Sequence, residues 1–540
     1  MTSARSAVVI GAGVAGLATA ALLARDGFAV RVVERNGQPG GRAGVLRRGG
    51  YQFDTGPSWF LMPEVYDHFL RLLGTSLEQE LDLVRLDPEY RVFSGANADP
   101  RPGEPVTIPD GYERIRALFE ARQPGLGQAL DRYVRDAEAL LELAREAFLY
   151  NPFRRWRLLL QRRIVRGLPI IARQRGRSLA KLVRAMVNDP VLRQILEYPA
   201  VFIGTDPRQA PGLYQLMSAM DLKQGVFYPR GGFAAVVDLF ERLARESGVQ
   251  IDYDTEVTQI LVEGHRAVGI AARRRGDEAV TRIDAEVVVS GADLHHTETA
   301  LLPKGLADHS DRWWDRTVSG PGGVIAMLGV QGELPTLAHH NLFFAADWDG
   351  NFDAIAAPEG VVPEGASFYL SRTTATDPQM APAGCEALFL LIPVPANPGI
   401  GRGGSDGHGD PEVEAAVDAA IARISEWAAI PDLASRIQIR ETLGPEDYRQ
   451  RYHSWQGGLL GPAHILRQSA MFRAQHVSDS VDGLYFAGAT VAPGVGVPMC
   501  LISAEVVLKH IRGDVSAGPL PEPLPTSSQR VEQQRGIARR

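Results

Sequence analysis

The sequence predicts an α/β protein that begins with a strand-helix-strand unit and in which strand-rich segments alternate with stretches of different composition. Residues 6–11 form an apolar run, 14–26 a helical stretch and 28–34 a second apolar run, which gives the order strand, helix, strand. Strand-rich patterns return at 225–300 and at 455–513 after stretches of different composition. A chain of 540 residues, 45% of them hydrophobic, is long enough for two intertwined domains.

A glycine-rich turn joins the first strand to the first helix. Gly11 permits a tight turn, Gly13 lets a pyrophosphate approach the backbone, and Gly16 lets the helix pack closely on the strand. The N-terminus of that helix favours the phosphate charge. Glu34 ends the second strand, where a carboxylate suits a ribose that has no 2′-phosphate. This unit therefore predicts a Rossmann-type dinucleotide site.

A second loop is also suited to phosphate. Gly40 and Gly41 leave room for close backbone approach, and Arg42 can reach a pyrophosphate from the opposite side. A run that contains Asp54 and Gly56 follows shortly after. Two phosphate-facing loops suit one extended, firmly held cofactor, and this favours FAD over NAD.

These motifs, together with a segment near the C-terminus, resemble the bacterial-type phytoene desaturase family within the flavin amine oxidase-like class. The C-terminal segment runs from Gly483 to Met499, where a strand at 484–487 leads to Gly488 and a Pro-Gly-x-Gly turn precedes a helix. Residues 229–232 and 467–473 are also similar to positions in the family.

The resemblance implies a Rossmann-type FAD-binding domain built from three discontinuous segments, with an inserted α+β substrate domain. The expected division is 1–100 (first FAD segment), 101–224 (basic helical region), 225–300 (second FAD segment), 301–454 (substrate domain), 455–513 (third FAD segment) and 514–540 (disordered tail).

The expected contacts with FAD come from both loops and from the closing segment. They are Gly11, Gly13, Gly16, Glu34, Arg35, Gly40, Gly41, Arg42, Asp54, Gly56, Pro57, Val257, Gly488, Gly496, Val497, Pro498 and Met499. By the same resemblance, Asp54, Asp293 and Arg230 are polar candidates near the flavin, but none is assigned a catalytic role. No metal-ligand spacing is visible, so no metal site is expected.

The resemblance also implies FAD-dependent desaturation of a long isoprenoid such as phytoene, with hydride transfer to the flavin. A quinone or oxygen is the expected electron acceptor, because no second dinucleotide fingerprint is visible. Carotenoid isomerisation and ketolation remain open alternatives. So do amine oxidation, for which Cys385 and Cys500 offer no evident attachment motif, and a non-catalytic isoprenoid carrier, which would be expected to have eroded glycine motifs.

Charge is unevenly distributed along the chain. The net charge of −7 gives no reason to expect nucleic-acid binding. From Ala147 to Asn188 there is no acidic residue, and the cations from Arg154 to Arg184 alternate with aliphatic side chains, which favours contact with an anionic membrane surface. Two cysteines suit a reducing compartment. The protein is therefore expected in the cytoplasm, peripherally bound to the inner face of the cell membrane.

Overall fold

The computed structural model of the chain describes residues 5–97, 104–153, 174, 176–357 and 359–525. Its strands, β1 to β19 in chain order, span Ser6–Ile10, Ala29–Val33, Val45–Arg48, Tyr51–Asp54, Leu83–Arg85, Tyr90–Ser94, Val106–Ile108, Phe227–Pro229, Gln250–Asp252, Thr255–Glu263, Arg266–Arg274, Thr281–Asp284, Val287–Ser290, Gly322–Gln331, His340–Phe344, Phe368–Arg372, Cys385–Val394, Ile437–Leu443 and Leu484–Phe486. Its α-helices, α1 to α17 in chain order, span Val14–Arg25, Pro63–Leu73, Leu77–Glu80, Tyr112–Arg122, Leu126–Ala144, Leu179–Arg184, Pro190–Glu197, Pro199–Phe202, Leu216–Ala219, Gly232–Glu246, Leu294–His296, Asp311–Arg316, Trp348–Ile355, Pro411–Trp427, Leu433–Arg436, Pro445–Tyr452 and Val497–Arg512.

The central sheet is parallel and has the order β19-β13-β1-β2-β9 in the described part of the chain. Its strands come from the beginning, the middle and the end of the sequence, so the predicted α/β fold is confirmed. The strand, helix and strand expected at 6–11, 14–26 and 28–34 form as β1, α1 and β2. Helix α1 is buried almost all round because it packs against β2, α10 and α17. That burial explains its nearly uncharged sequence.

A mixed sheet of order β18-β14-β17-β16-β15-β6-β7 forms the second layer. Strands β14 and β17 pair antiparallel along their whole length. Both are mainly apolar because both faces of the sheet are covered. Ile325 and Met327 belong to the buried cluster that includes residues of α4, α5 and α7, whereas Val324, Ala326 and Leu328 belong to the cluster that includes residues of α14.

The segment after α17 corrects one expectation. The composition predicts disorder from residue 514, yet residues 514–525 pack against the body of the protein. Lys509 Nζ donates hydrogen bonds to three backbone carbonyls at 2.6–2.8 Å, two of them in this segment. Leu520 and Leu524 are buried against the first core. The prediction of disorder is therefore wrong for 514–525, and 526–540 lie outside the described residues.

Most of the basic stretch expected to meet a membrane, residues 154–173 and 175, lies outside the described residues. One of its described cations, Arg184, forms ion pairs with Glu197 and Asp349 and is thereby engaged within the protein. Within the described ranges, no helix combines the length and the apolar character needed to cross a bilayer.

A buried carboxyl group near β6 makes stability dependent on pH. Glu89 is fully buried, and its pKa is raised from 4.5 to about 9, first by desolvation and then by the negative charge of Asp221. Folding between these two pH values takes up a proton. The burial of Glu89 therefore does not lower the stability of the wild type at pH values below 4.5, the pKa in the unfolded chain. The free energy of unfolding falls as pH rises from that value toward about 9, the pKa in the folded protein.

Glu89→Gln removes this titration. We expect the variant to be more stable than the wild type by roughly 3 kcal/mol at neutral pH, because each pH unit corresponds to about 1.4 kcal/mol. The advantage should shrink towards zero near the unfolded pKa. Thermal unfolding midpoints of both proteins, measured at mildly acidic and mildly alkaline pH, check this. The exposed Glu78→Gln is the control, and a Glu89→Gln advantage independent of pH would contradict the argument.

Candidate active site

A cavity of about 1260 Å³ lies between the loops of the parallel sheet and one face of the mixed sheet. Glycine-rich backbone and several charged groups line one part of it, and mainly apolar side chains, with some polar ones among them, line the rest. Of the residues expected to bind the cofactor, all but Gly16 and Asp54 line this cavity. The structure thus brings together loops that are separated by more than four hundred residues in the sequence.

The turn between β1 and α1 presents backbone to the cavity. Gly13 is the N-cap of α1, and no acidic side chain lies in the first turn to compensate the positive end of the helix dipole. A Cβ on Gly13 would meet no described heavy atom closer than Gly40 O at 4.0 Å, so the backbone there is open to a ligand. Gly16 differs: its Cβ would lie 2.0 Å from Gly11 O, so Gly16 serves helix packing and does not line the cavity.

Glu34 is buried at the end of β2 and connects the turn to the chain that follows. Its Oε2 accepts a hydrogen bond from Ala12 N at 2.8 Å. Its Oε1 accepts from the backbone N and from Nδ2 of Asn36, both at 2.8 Å. Because each carboxylate oxygen has two lone pairs, Oε2 can accept one more bond from a ligand hydroxyl in the cavity.

The second loop lies directly beside the first. Gly40 N donates a hydrogen bond to Ala12 O at 2.9 Å. Gly41 adopts φ +57, and a Cβ built on it would lie only 3.3 Å from Gly13 Cα. Arg42 Nη2 donates to Ser454 Oγ at 2.8 Å. Its Nε is buried and has no hydrogen-bond partner among the described residues. A cation held in this way, with a donor still unused, fits an anionic ligand such as a pyrophosphate.

Two polar candidates lie away from the cavity. Asp54 caps α10, because its carboxylate accepts hydrogen bonds from the backbone N of Phe233 and Ala234 at 2.8 and 3.1 Å. Asp54 was expected to contact the cofactor, but in the structure its carboxylate caps a helix and does not line the cavity. Arg230 forms an ion pair with Asp82 at 3.0 Å and does not line the cavity either.

Asp293 does line the cavity. Its side chain is almost fully buried, caps α11 through His295 N, and lies 3.7 Å from Arg42 Nη2. Burial raises its pKa, and the positive charge of Arg42 opposes that effect. Asp293 therefore helps to fix the position of Arg42.

The closing segment reaches the cavity after β19. Gly488 adopts φ +116, its backbone N donates to Ser503 Oγ at 2.9 Å, and the nearest atom to a Cβ there is Ala15 Cβ at 3.4 Å. Gly496 is the N-cap of α17, and its neighbouring helical residues 497–499 line the cavity. The N-termini of α1 and α17 therefore both face the same space.

A buried arginine holds this segment in place. Arg473 is 3% exposed and donates to the carbonyl oxygens of Val491, Pro462, Gln468 and Ala489, at 2.7–3.3 Å. Burial lowers its pKa to about 10.

The remaining predicted residues also lie on the cavity wall. They are Gly11, Arg35, Gly56, Pro57 and Val257. Arg35 contacts Gln450 O at 2.9 Å and lies 3.8 Å from Glu256.

Beyond the glycine loops the cavity becomes predominantly apolar. Its wall includes Trp59, Leu140, Phe148, Phe202, Phe344 and Leu391. It reaches the surface beside Leu466, Met471 and Phe472, which are 65%, 39% and 62% exposed.

Sequence reasoning missed several residues of this site. Ser454, Tyr214 and His464 each contact a residue far away in the chain, and no local motif identifies them. Arg473 falls in a stretch that resembles the family, but its buried role depends on carbonyls up to eighteen residues away.

Comparison with known proteins identifies the class. The model of the flavin-containing amine oxidoreductase family matches residues 14–319. The chain belongs to the flavin-containing amine oxidoreductase family. Its resemblance to phytoene desaturases is also confirmed, because curated relatives match it over nearly its whole length.

Among these relatives is a carotenoid 3,4-desaturase of Haloarcula japonica, 35% identical over 95% of this chain and 99% of that protein. A zeta-carotene-forming phytoene desaturase of Myxococcus xanthus is 32% identical over 94% of each chain. In fold, the chain is similar to a putrescine oxidase (TM-score 0.59, 15% identity, 94% of this chain and 99% of that one). It is also similar to an oxidoreductase of Methanosarcina mazei (TM-score 0.58, 18% identity, 94% and 100%).

The protein is thus an FAD-dependent oxidoreductase, and the cavity fits this cofactor. We infer that Glu34 would hold the ribose, that the N-terminus of α1 and Arg42 would hold the pyrophosphate, and that Gly488 and the N-terminus of α17 would hold the isoalloxazine ring.

Proposed function

We propose that this flavoprotein desaturates a long-chain carotenoid precursor such as phytoene. The observation that carries the proposal is the continuity of the cavity, in which the glycine loops open directly into an apolar space lined by aromatic and aliphatic side chains. Such a wall suits a hydrocarbon chain. The names of the full-length relatives support the same substrate class.

FAD, when bound, supplies the acceptor for a hydride that leaves an allylic carbon. The protein contributes orientation and exclusion of water. Trp59, Phe202 and Phe344 belong to a packed aromatic wall, with ring centroids of Trp59 and Phe202 5.2 Å apart, which holds an extended polyene in one path. With FAD bound, the N-terminus of α17 would supply a positive potential that favours negative charge on the ring.

The direct test uses the purified holoprotein and phytoene in liposomes without oxygen. We expect bleaching of the oxidised flavin spectrum together with a product that has lost two hydrogens for each flavin reduced. Unchanged phytoene with oxidised flavin would contradict desaturation of this substrate. An isomer of unchanged mass, formed without flavin bleaching, would instead indicate isomerisation.

We further propose that a quinone or oxygen reoxidises the flavin. Adding each in turn to the reduced protein should restore the oxidised spectrum, and the faster of the two identifies the acceptor. A requirement for a nicotinamide cofactor would contradict this proposal.

The mouth of the cavity supports a peripheral position on the membrane. Leu466, Met471 and Phe472 are exposed around it, and Arg467 lies exposed among them. Apolar side chains next to a cation suit insertion at the boundary between headgroups and acyl chains. A hydrocarbon substrate could pass from lipid into the cavity at this point.

The double substitution Leu466→Ser with Phe472→Ser is expected to weaken binding to anionic vesicles at least about tenfold, since each large apolar side chain contributes roughly 1.5 kcal/mol on leaving water. Flotation with phosphatidylglycerol vesicles measures this. The matched control is Val280→Ser with Val361→Ser, because these side chains are 54% and 62% exposed but remote from the cavity lining. Equal loss in both double variants would contradict a specific docking role for the mouth.

A further inference from the structure

Two consecutive residues after α16 contact the arginines of the two cofactor loops. His453 Nε2 lies 2.5 Å from Arg35 Nη1. Ser454 Oγ accepts a hydrogen bond from Arg42 Nη2 at 2.8 Å. Arg35 and Arg42 both line the cavity, and both are expected to contact FAD. This short segment therefore fixes two side chains that precede it by more than four hundred residues in the chain.

The contact with Arg35 defines the protonation state of the His453 ring. A guanidinium group only donates hydrogen bonds, and it keeps its charge in proteins. Its Nη1 donates one hydrogen to Gln450 O at 2.9 Å, and the second needs another acceptor. At 2.5 Å, His453 Nε2 must therefore be bare and accept this second hydrogen, which places the ring proton on Nδ1. A neutral imidazole is thus part of what holds Arg35.

The same ring nitrogen has a competing neighbour. Glu256 Oε1 lies 3.3 Å from His453 Nε2 and 3.8 Å from Arg35 Nε. A carboxylate only accepts, so the contact with Glu256 becomes a hydrogen bond only when Nε2 carries a proton. The neutral ring accepts from Arg35, whereas the protonated ring donates to Glu256 and repels Arg35. One proton therefore decides which of the two neighbours the imidazole binds.

The surroundings keep this imidazole neutral at neutral pH. His453 stacks on His296, with ring centroids 3.8 Å apart and ring planes inclined by 6°. Burial, and then the positive charge of Arg35, lower the pKa of His453 from 6.5, against the opposing effects of Glu256 and Asp293. Burial also lowers the pKa of His296 to about 3, so its ring stays neutral. His453 therefore gains a proton only as pH falls below 6.5.

These groups lie at the expected adenosine end of the cofactor site. Arg35 follows Glu34, whose carboxylate is inferred to hold the ribose, and Glu256 precedes Val257, an expected FAD contact. Both stacked histidines also line the cavity. Within the described part of the chain, Arg35 Nη2 makes no hydrogen bond, so Arg35 keeps donors for a ligand. A guanidinium held in one position favours an anionic dinucleotide.

We propose that His453 is a positioning residue for FAD. Its neutral imidazole holds Arg35 at the adenosine end of the site. Protonation moves the hydrogen bond of the ring to Glu256, releases Arg35 and thereby weakens FAD binding. The affinity for FAD should be full above about pH 6.5 and should fall as the solution becomes more acidic. This role is independent of which polyene the enzyme oxidises.

The decisive variant is His453→Gln. Its amide oxygen can accept from Arg35 while its NH₂ group donates to Glu256, and the amide does not titrate. We expect His453→Gln and the wild type to bind FAD within about twofold of each other at about pH 7.5, and the variant to bind at least about threefold more tightly than the wild type at about pH 5. His453→Ala leaves Arg35 without this acceptor and should bind FAD at least about fivefold more weakly at about pH 7.5.

The measurement uses the holoprotein of each variant, diluted in steps at each pH. Free FAD is separated by ultrafiltration and quantified by its fluorescence. His265 is the matched control position, because it is exposed, does not line the cavity and has φ +65, close to the φ +51 of His453. His265→Gln and His265→Ala therefore impose a similar backbone cost without touching Arg35, and both should keep the wild-type affinity profile. Thermal unfolding checks that each variant is folded.

Parallel pH profiles of FAD affinity in the wild type and His453→Gln would overturn the proposal. So would equal weakening by His453→Gln and His453→Ala, because glutamine supplies the acceptor that alanine lacks. Tighter FAD binding by the wild type than by His453→Gln at acid pH would show that the added positive charge attracts the cofactor, contrary to the proposed release. The same loss of affinity in the His265 variants would assign the effect to backbone conformation and also contradict it.

Discussion

Gly16→Ala is expected to yield a protein that retains little FAD and is less stable by about 3 kcal/mol or more. A Cβ at this position would lie 2.0 Å from Gly11 O and 3.5 Å from Val9 Cγ1. Backbone cannot move aside as a flexible side chain can, so α1 has to separate from β1. That separation disrupts the turn at Gly13 on which the pyrophosphate site depends. Thermal unfolding and the amount of flavin that co-purifies with the protein measure the two effects.

Gly13→Ala is the matched control, three residues away in the same turn. Gly13 has φ −68, which alanine adopts freely, and the nearest heavy atom to its Cβ would be 4.0 Å away. We expect this variant to fold with wild-type stability but to bind FAD about tenfold or more weakly, because the methyl group enters space needed by the phosphate. Equal losses of stability in the two variants would contradict this explanation, because only a methyl group at position 16 should clash with the backbone.

Arg473→Met is expected to have the second large effect. The substitution removes the donor for four carbonyl oxygens, and each buried acceptor left unpaired costs about 1–3 kcal/mol. Two of these carbonyls, Ala489 O and Val491 O, belong to the segment that follows Gly488. We therefore expect a stability loss of at least about 3 kcal/mol and release of FAD during purification. Thermal unfolding and flavin absorbance again provide the measurement.

Arg467→Met serves as the control for Arg473, since Arg467 is exposed and six residues earlier in the chain. It should keep both stability and FAD. Arg473→Lys should fall between wild type and Arg473→Met, because one ammonium group reaches fewer of the four carbonyls than a guanidinium does. Full retention of FAD by Arg473→Met would show that the closing segment holds its shape without this cation.

The nucleotide-binding half of the molecule could be predicted from sequence because its chemistry is local. Gly11, Gly13 and Glu34 lie within one strand-helix-strand unit. The same short sequence pattern specifies the turn of this unit and the groups expected to contact a dinucleotide. Burial on both faces of a parallel sheet also leaves a clear pattern of apolar runs, so β1, β2 and β13 were predictable. Asp54 marks the limit of this reasoning: the motif around it was recognisable, but nothing in it distinguishes a cofactor contact from a cap on α10, 179 residues away.

The sequence by itself therefore determined the fold class, the two phosphate-facing loops and the family, because each depends on neighbouring residues and short periodic patterns. Only the tertiary structure decided that Arg473 is buried under the closing segment, that 514–525 pack against the core, and that Tyr214 meets His464. The contact between Tyr214 and His464 and the packing of 514–525 join residues far apart in the chain, and the carbonyls around Arg473 are brought together only by the fold of the closing segment. A single polar side chain carries no local signal of whether its partner will be water, a carbonyl or another side chain, and packing alone settles that choice.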